Sequence, residues 1–391
     1  MEYFLLLIPF VTCGVLFIFY RQKVHILEYV ITIFLSVGLF FGIKAWVKYT
    51  GSRSIEYLGY YVTSVNHYEQ WNEYIERTCT REVPDGTDAG GNTIYRTETY
   101  DCSYVQDHPE YYTYALNNKE QIDISWSTYQ YHVDLWGGKT YKIDMNRNYH
   151  TIDGDVRCAD WNGDVYTCRC LTLTQGYTNP IKGSSSTYKA DKVSKKEAGE
   201  LELYEYPPVL EKEQSAILSK QTVSDKDIRK WKFLNAFYGY SHQIRVYLLF
   251  YYDKDVSVSN KQTAYWNGGN MNEMLIHVGV SSDSLHVQWA NVTSWSDVPL
   301  LEINIRDEIM TYKDSPLDLH QLSDFISTNL GLWKRKNFSD FKYLRYEYSM
   351  REFIFMTLLM VIISAILARK VIRNKYHLHG VNKDDHHSTA C

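Results

Sequence analysis

The arrangement of the chain is decided by residues 3–47, which read YFLLLIPFVTCGVLFIFYRQKVHILEYVITIFLSVGLFFGIKAWV. The 18 residues at 3–20 carry no charge. As a helix they would reach about 27 Å, close to the hydrocarbon thickness of a bilayer, roughly 30 Å. A basic turn then leads to a second apolar run at 26–47. The pattern predicts a transmembrane hairpin over 1–48, with spans at about 3–20 and 26–47.

A third apolar run, at 353–368, lies between Glu352 and Arg369 near the other end of the chain. The basic residues behind it are typical of a stop-transfer segment, so we predict a third membrane helix over 350–369 and a basic, histidine-containing tail over 370–391. Three spans place the first turn and the tail on the same side. Because that turn is basic, we expect turn and tail in the cytoplasm and the large domain outside the cell membrane.

The composition of the whole chain hides this division. Its mean hydropathy is −0.37 over 391 residues, because a polar middle dilutes the apolar ends. Aromatic residues make up 15% of the chain, including 35 Tyr, and this excludes a disordered or low-complexity protein. The net charge of −5 gives no reason to expect a nucleic acid as partner.

The soluble middle reads as an α+β region in two parts. Residues 49–180 are aromatic and contain cysteines, with short β-like runs between turns. Residues 181–204 are rich in Ser, Lys and Gly and predict a linker or long loop. Residues 205–349 predict a small antiparallel sheet with helices on one face.

Individual elements follow from periodicity and turn signals. We predict a helix at 62–77 that continues from the second span, a helix at 225–237, and a helix at 317–330 capped by Asp314 or Ser315. Residues 127–136 fit a strand or a helix. Four strands are predicted in the second part, at 243–252, 273–280, 285–292 and 300–305.

The cysteines of the soluble region suggest a disulfide. Cys79 and Cys102 flank a turn-rich stretch within a β-hairpin pattern, and opposed strands bring such thiols within bonding distance. Cys168 or Cys170 could supply a partner for Cys158, which would leave one thiol over. The spacing does not match a zinc site.

A cluster of acidic residues invites a metal hypothesis. Alternating oxygen ligands suit hard cations such as Ca²⁺, but the calcium-loop pattern fails at its sixth and twelfth positions, and turns filled with Asp, Asn and Gly are the competing interpretation. No cofactor is predicted. The candidate metal ligands are Asp144, Asp153, Asp155, Asp160 and Asp164.

Four short motifs resemble a known group of proteins. They are WNEY at 71–74, RTC at 77–79, YDCSY at 100–104 and WNGGN at 266–270. Together they resemble uncharacterised membrane-anchored proteins encoded in bacterial and phage genomes, over most of the soluble region. The resemblance implies membrane anchoring and carries no activity with it.

Three functions are consistent with the sequence. The first is a non-enzymatic envelope protein that displays a binding domain to an envelope protein, a glycan or the lipid bilayer, since Tyr and Trp are enriched at recognition surfaces. The same aromatic residues also fit a β-rich core or the bilayer interface. The second is a membrane-tethered hydrolase or metal-dependent enzyme that uses Asp and His residues of 144–164. The third is a structural subunit of a membrane assembly. The sequence contains no GxSxG, no GxGxxG after a strand and no GxxxxGK(S/T) motif, and the oligomeric state is left open.

Overall fold

The computed structural model describes residues 2–20, 26–145, 154–184, 193–208 and 216–380. At the N-terminus a 3₁₀ turn, Glu2–Leu6, leads into helix α1 (Leu7–Tyr20). Helix α2 (Ile26–Gly51) follows, and the chain leaves it directly into the soluble region.

The first soluble part is built from strands and one helix. In chain order these are β1 (Arg53–Tyr68), β2 (Trp71–Ile75), β3 (Thr78–Thr87), β4 (Thr93–Asp101), β5 (Tyr104–His108), β6 (Tyr111–Leu116), β7 (Gln121–Ile124), α3 (Trp126–Leu135), β8 (Tyr141–Ile143), β9 (Val156–Asp160) and β10 (Cys170–Thr178).

Strand β1 is the centre of an antiparallel sheet with the order β7-β6-β1-β9-β8. Its second half lies between β6 and β9, and its first half, from Arg53 to Tyr61, pairs with β10. Helix α3 packs on this sheet, with Val133 and Trp136 in the same buried cluster as Val62. Ser125 caps the helix by accepting a hydrogen bond from the Thr128 amide.

The helix predicted at 62–77 is wrong, because these residues belong to β1 and β2. β-Branched and aromatic residues recur along this stretch and favour a pleated, half-buried surface. Val62 and Val65 are fully buried in the sheet core. The partners that stabilise the strand lie some 50 and 90 residues further along the chain, so no local pattern reveals them.

Residues 71–108 form a projecting ribbon. β2 pairs with β5, and β3 pairs with β4, in two successive antiparallel ladders. Most residues of β3 and β4 are exposed on both faces. Near the base of the hairpin Cys79 and Cys102 lie at disulfide distance, with Cα atoms 5.8 Å apart. The second strand of the β-hairpin pattern predicted between Cys79 and Cys102 is thus present as β4.

The second soluble part alternates helices and strands. In chain order these are α4 (Lys195–Leu201), β11 (Ile217–Leu218), α5 (Asp225–His242), β12 (Arg245–Tyr252), α6 (Ser257–Tyr265), β13 (Glu273–Val280), β14 (Val287–Ser294), α7 (Pro299–Met310) and α8 (Leu319–Asn329). Helix α4 lies within the predicted linker, of which residues 185–192 are outside the described residues.

The sheet of this part has the order β11-β12-β13-β14. The α+β class is confirmed, but a purely antiparallel sheet is not: β11, β12 and β13 are parallel, and β14 alone is antiparallel to its neighbour. Every residue of β13 is buried, so both faces of the sheet are covered rather than one.

Two further predictions are corrected here. Residues 300–305 belong to helix α7, not to a strand; Pro299 occupies its first turn, and Leu301, Ile305 and Ile309 form a buried stripe at helical spacing. Helix α8 begins at Leu319, later than predicted. Its cap is Asp318, whose side chain accepts a hydrogen bond from the Gln321 amide at 3.0 Å.

The two parts meet where β1 crosses α5. A Cβ atom added to Gly59 would lie 2.2 Å from the Asn235 carbonyl oxygen, and one added to Gly239 would lie 2.4 Å from the Gly59 nitrogen. Only glycine permits the backbones to approach so closely. The central strand of the first part is therefore packed directly on a helix of the second.

The last described element is helix α9 (Met350–Gly380), which packs with α1 and α2. Within the described residues, Ile26–Gly51 and Met350–Lys370 are long and apolar enough to cross a membrane, and Tyr3–Phe19 is a shorter apolar helix. Length and composition therefore support two of the three predicted spans. One buried stripe runs along each helix, at Leu5, Cys13 and Leu16, at Thr32, Ser36 and Phe40, and at Met356, Met360 and Ser364.

Candidate ligand-binding cleft

A cleft of about 460 Å³ lies at the junction of the two parts. Its walls come from the start of β1, the segment after β10, the loop after α6 and two further positions, Tyr206 and Trp295. Its volume falls within the usual range of small-molecule sites. The lining residues are Ser54, Ile55, Tyr57, Asn179, Ile181, Lys182, Ser184, Tyr206, Trp266, Asn267, Gly269, Asn270 and Trp295.

The loop at 266–270 forms one rim of this cleft. Asn267, Gly268 and Gly269 all have left-handed backbone conformations, with φ of 55°, 85° and 72°. Two successive glycines make such a turn possible without strain. A Cβ atom on Gly269 would lie 2.9 Å from Glu273 Oε2, so the loop runs directly over this carboxyl group.

Glu273 holds the loop from below. It accepts hydrogen bonds from the amide and the side-chain nitrogen of Asn270, both at 2.8 Å, and from the Tyr206 hydroxyl. The carboxyl group is fully buried, and burial raises its pKa. Because Glu273 fixes both Asn270 and Tyr206 at the cleft wall, it is a positioning residue.

A chain of hydrogen bonds continues behind Tyr206. The Tyr247 hydroxyl donates to the Tyr206 hydroxyl at 3.3 Å, and Arg245 Nε donates to the Tyr247 hydroxyl at 2.8 Å. Arg245 is almost completely buried. Burial raises the pKa of both tyrosines, so they remain neutral donors at physiological pH.

The aromatic walls are fixed through their polar atoms. Trp266 Nε1 donates to the Tyr204 carbonyl at 2.8 Å, and Trp295 Nε1 donates to the Gly268 carbonyl at 2.9 Å. The ring of Tyr206 lies 5.0 Å from the ring of Trp266 and 6.1 Å from that of Tyr57. With the indole N–H groups satisfied by the protein, the two tryptophan rings offer apolar area to a ligand.

A buried ion pair supports the opposite face of the same stretch of β1. Arg335 Nη2 lies 2.6 Å from Glu56 Oε2, and Glu56 is fully buried. Burial raises the pKa of Glu56, and Arg335 partly offsets this effect. Asn272 Nδ2 also donates to the Tyr57 carbonyl at 2.8 Å. These contacts connect the two sides of the cleft.

The predicted metal ligands do not meet in this cleft. Asp155 lies 2.8 Å from Lys142 Nζ, and Asp144 lies 3.5 Å from the same nitrogen. Asp160 accepts a hydrogen bond from the Tyr141 hydroxyl, and Asp164 accepts one from the Tyr166 amide. Asp153 lies outside the described residues.

Among the described residues, no group of three or more His, Cys, Asp or Glu side chains is arranged to hold a metal ion. Where their contacts are described, the acidic residues are occupied by Lys142, by a tyrosine and by turn amides, which agrees with the turn interpretation. The metal hypothesis therefore gains no geometric support from these positions.

Sequence reasoning did not find the cleft, because its walls come from five separate stretches of the chain. The one signal of the cleft visible in the sequence is WNGGN at 266–270, whose paired glycines favour a left-handed turn. Comparison of the chain with protein-family models, with curated proteins and with solved structures returns no match.

Proposed function

We propose that this protein is a multi-pass membrane protein whose extracytoplasmic domain binds a saccharide in the cleft. The observation that carries the proposal is the wall of four aromatic rings, Tyr57, Tyr206, Trp266 and Trp295, interleaved with amide and hydroxyl groups. The role is binding rather than catalysis, because the nearest carboxyl group that organises the cleft, Glu273, is buried beneath the loop.

The mixture of lining groups favours a neutral, polyhydroxylated ligand. Sugar rings present C–H groups on their faces, which are attracted to the electron-rich faces of aromatic rings. Their hydroxyls match the amides of Asn179, Asn267 and Asn270. Among the described residues that line the cleft none is an aspartate or glutamate, and Lys182 is present, so a cationic ligand is disfavoured.

Three spans anchor this domain in our proposal. The 3₁₀ turn Glu2–Leu6 rises about 2.0 Å per residue and helix α1 about 1.5 Å, which gives a combined length of about 31 Å. This length matches a hydrocarbon core of roughly 30 Å. The buried stripes of α1, α2 and α9 fit a three-helix bundle whose other faces meet lipid.

The orientation rests on the basic first turn and the basic tail, which we place in the cytoplasm. The Cys79–Cys102 pair supports an oxidising compartment for the domain. Ser54 follows the end of α2 by three residues, or about 10 Å of extended chain, so the cleft opens close to the membrane surface.

Binding is tested with the full chain in detergent micelles. Cellohexaose, maltohexaose and chitohexaose are titrated by calorimetry, and we expect saturable binding of at least one of them. Tyr57→Ala removes one ring from a paired strand and should weaken that binding about tenfold. Asn267→Gly removes an amide but keeps the left-handed turn, and should weaken it severalfold.

The matched control is Trp126→Ala, which removes an exposed aromatic ring from α3 and should leave the affinity unchanged. The proposal is overturned if none of the three oligosaccharides binds, or if Tyr57→Ala binds as well as Trp126→Ala. A reporter fused after Arg373 tests the topology separately: an extracytoplasmic signal would reverse our orientation without affecting the cleft.

A further inference from the structure

Cys168 and Cys170 bring two thiols together outside the cleft. Cys170 is the first residue of β10 and pairs with Tyr61 of β1, while Cys168 directly follows the turn at 165–167. Residues two apart in an extended segment point to the same side. Accordingly, the two Sγ atoms lie 3.8 Å apart, in contact but beyond the roughly 2.05 Å of a bond.

The turn before this pair is held firmly. Trp136 Nε1 of α3 donates to the Thr167 carbonyl at 3.1 Å, and Arg229 of α5 donates to the Tyr166 carbonyl at 3.2 Å. The thiols are half-buried at the edge of an open cavity of about 410 Å³. A solute can therefore reach two sulfur atoms whose backbone is fixed.

The cavity is also cationic. Arg229 and Lys232 of α5 and Arg169, between the two cysteines, all line it together with the thiols. These cationic side chains attract small disulfides that carry carboxylates. The nucleophile in disulfide exchange is the thiolate form of a cysteine. Cys158, in contrast, is buried in β9, where it pairs with Asn66 of β1.

We infer that Cys168 and Cys170 form a thiol–disulfide exchange site for small anionic disulfides. One thiolate attacks a sulfur of the disulfide RSSR, forms a mixed disulfide and releases RS⁻. The second thiolate then attacks the protein sulfur of that mixed disulfide, forms the Cys168–Cys170 bond and releases the other RS⁻. The protein dithiol is oxidised, and RSSR is reduced to two thiols.

The short separation between Cys168 and Cys170 favours a reversible disulfide over a structural one. A bond between residues two apart closes a small ring, and departures from relaxed disulfide geometry make a bond easier to reduce. We therefore expect the pair to move between dithiol and disulfide as the surrounding thiol and disulfide concentrations change. The Cys79–Cys102 pair joins two separate strands and should stay oxidised under the same conditions.

The test uses the full chain in detergent micelles with mixtures of reduced and oxidised glutathione. Samples are quenched with acid, alkylated and digested with trypsin, which cuts after Arg157, Arg169 and Lys182. An oxidised pair keeps fragments 158–169 and 170–182 linked through Cys168 and Cys170, neither of which is alkylated, while Cys158 carries the alkyl group. We expect this linked species to rise with the fraction of oxidised glutathione. The same experiment on Cys158→Ser excludes a Cys158–Cys170 bridge of equal fragment composition.

Single variants trap the intermediate. Cys168→Ser and Cys170→Ser each lack the second nucleophile, so they should accumulate a glutathione adduct at least tenfold above the wild-type level. Lys232→Gln should slow oxidation of the pair by oxidised glutathione severalfold, because it removes one cation that attracts the anionic disulfide. The inference is overturned if wild type stays doubly alkylated in every mixture, or if it retains glutathione adducts as the single variants do.

Discussion

The sheet β11–β14 and the ribbon at 71–108 are both β structures, yet they are stabilised in opposite ways. Every residue of β13 is buried between layers of helices and neighbouring strands. Strands β3 and β4 form a separate two-stranded sheet, and most of their residues face water. A two-stranded ribbon is marginal in water by itself, so the covalent bond near its base compensates for the missing core.

The well-packed second part and strand β1 contribute walls to the cleft, whereas the ribbon does not. The cleft takes Trp266, Trp295 and Tyr206 from the well-packed second part and Tyr57 from β1. The ribbon contributes no residue to the lining within the described chain. Changes in the core should therefore alter global stability and binding together, whereas changes in the ribbon should remain local.

The largest expected effect is loss of the buried pair between Glu56 and Arg335. Arg335→Met leaves the Glu56 carboxyl group buried without its cation and should lower the free energy of unfolding by about 3–5 kcal/mol. Urea denaturation of the full chain in detergent, followed by tryptophan fluorescence, measures this loss. Glu56→Gln combined with Arg335→Met should recover part of it. An unchanged midpoint in the single variant would contradict a role for this pair at the junction.

The next comparison removes equivalent apolar groups from the two regions. Leu275→Ala creates a cavity in β13 and should cost about 2–5 kcal/mol of global stability. Ile94→Ala removes a half-exposed side chain from β4 of the ribbon and should change global stability by less than about 0.5 kcal/mol. Equal losses from the two variants would show that the ribbon is part of the cooperative core.

The success of sequence reasoning also differed between regions. Strand β13 was predicted at its observed bounds and β14 within two residues of them, because contiguous periodicity and turn residues define them. Helix α5 begins at 225 as predicted but continues to His242, five residues beyond the predicted end. Helix α7 was missed although Pro299 and the spacing of Leu301, Ile305 and Ile309 indicated a helix. The helical spacing extends over Pro299–Met310, but the predicted strand covered only 300–305, which is too short to show that spacing.

Local sequence patterns could not predict the cleft, for a physical reason. Tyr57, Asn179, Tyr206, Trp266 and Trp295 converge only after β1 has crossed α5, and no local preference encodes that crossing. Conversely, the acidic residues that suggested a metal site are close in sequence, but in the structure they contact different partners. These partners are Lys142, a tyrosine and turn amides.

Acid should weaken the second part through His277. This side chain is fully buried beside the Tyr251 hydroxyl, and burial lowers its pKa to about 3. The unfolded chain binds a proton near pH 6.5 and the folded chain does not, so stability falls as pH drops from about 6.5 towards 3. We expect a contribution of about 1 kcal/mol per pH unit to the unfolding free energy.

Unfolding curves of wild type and His277→Gln between pH 7 and pH 4 isolate this contribution, because all other groups titrate alike in both. The variant should show a shallower loss of stability. His320→Gln is the matched control, since His320 is exposed on α8 and its replacement should leave the wild-type slope unchanged. Parallel curves for wild type and His277→Gln would refute the effect.

The smallest global effect, and the sharpest test of the comparison, comes from the disulfide. Replacing both Cys79 and Cys102 by Ser opens a loop with a sequence separation of 23. Such a loss costs about 3 kcal/mol, or roughly 100-fold in an equilibrium constant. Because the ribbon has almost no core in common with the body, this cost should appear locally. Amide exchange at 78–101 should accelerate about 100-fold, while the global unfolding free energy changes by less than about 0.5 kcal/mol. A matching loss of global stability would mean that the ribbon and the buried sheet unfold as one unit.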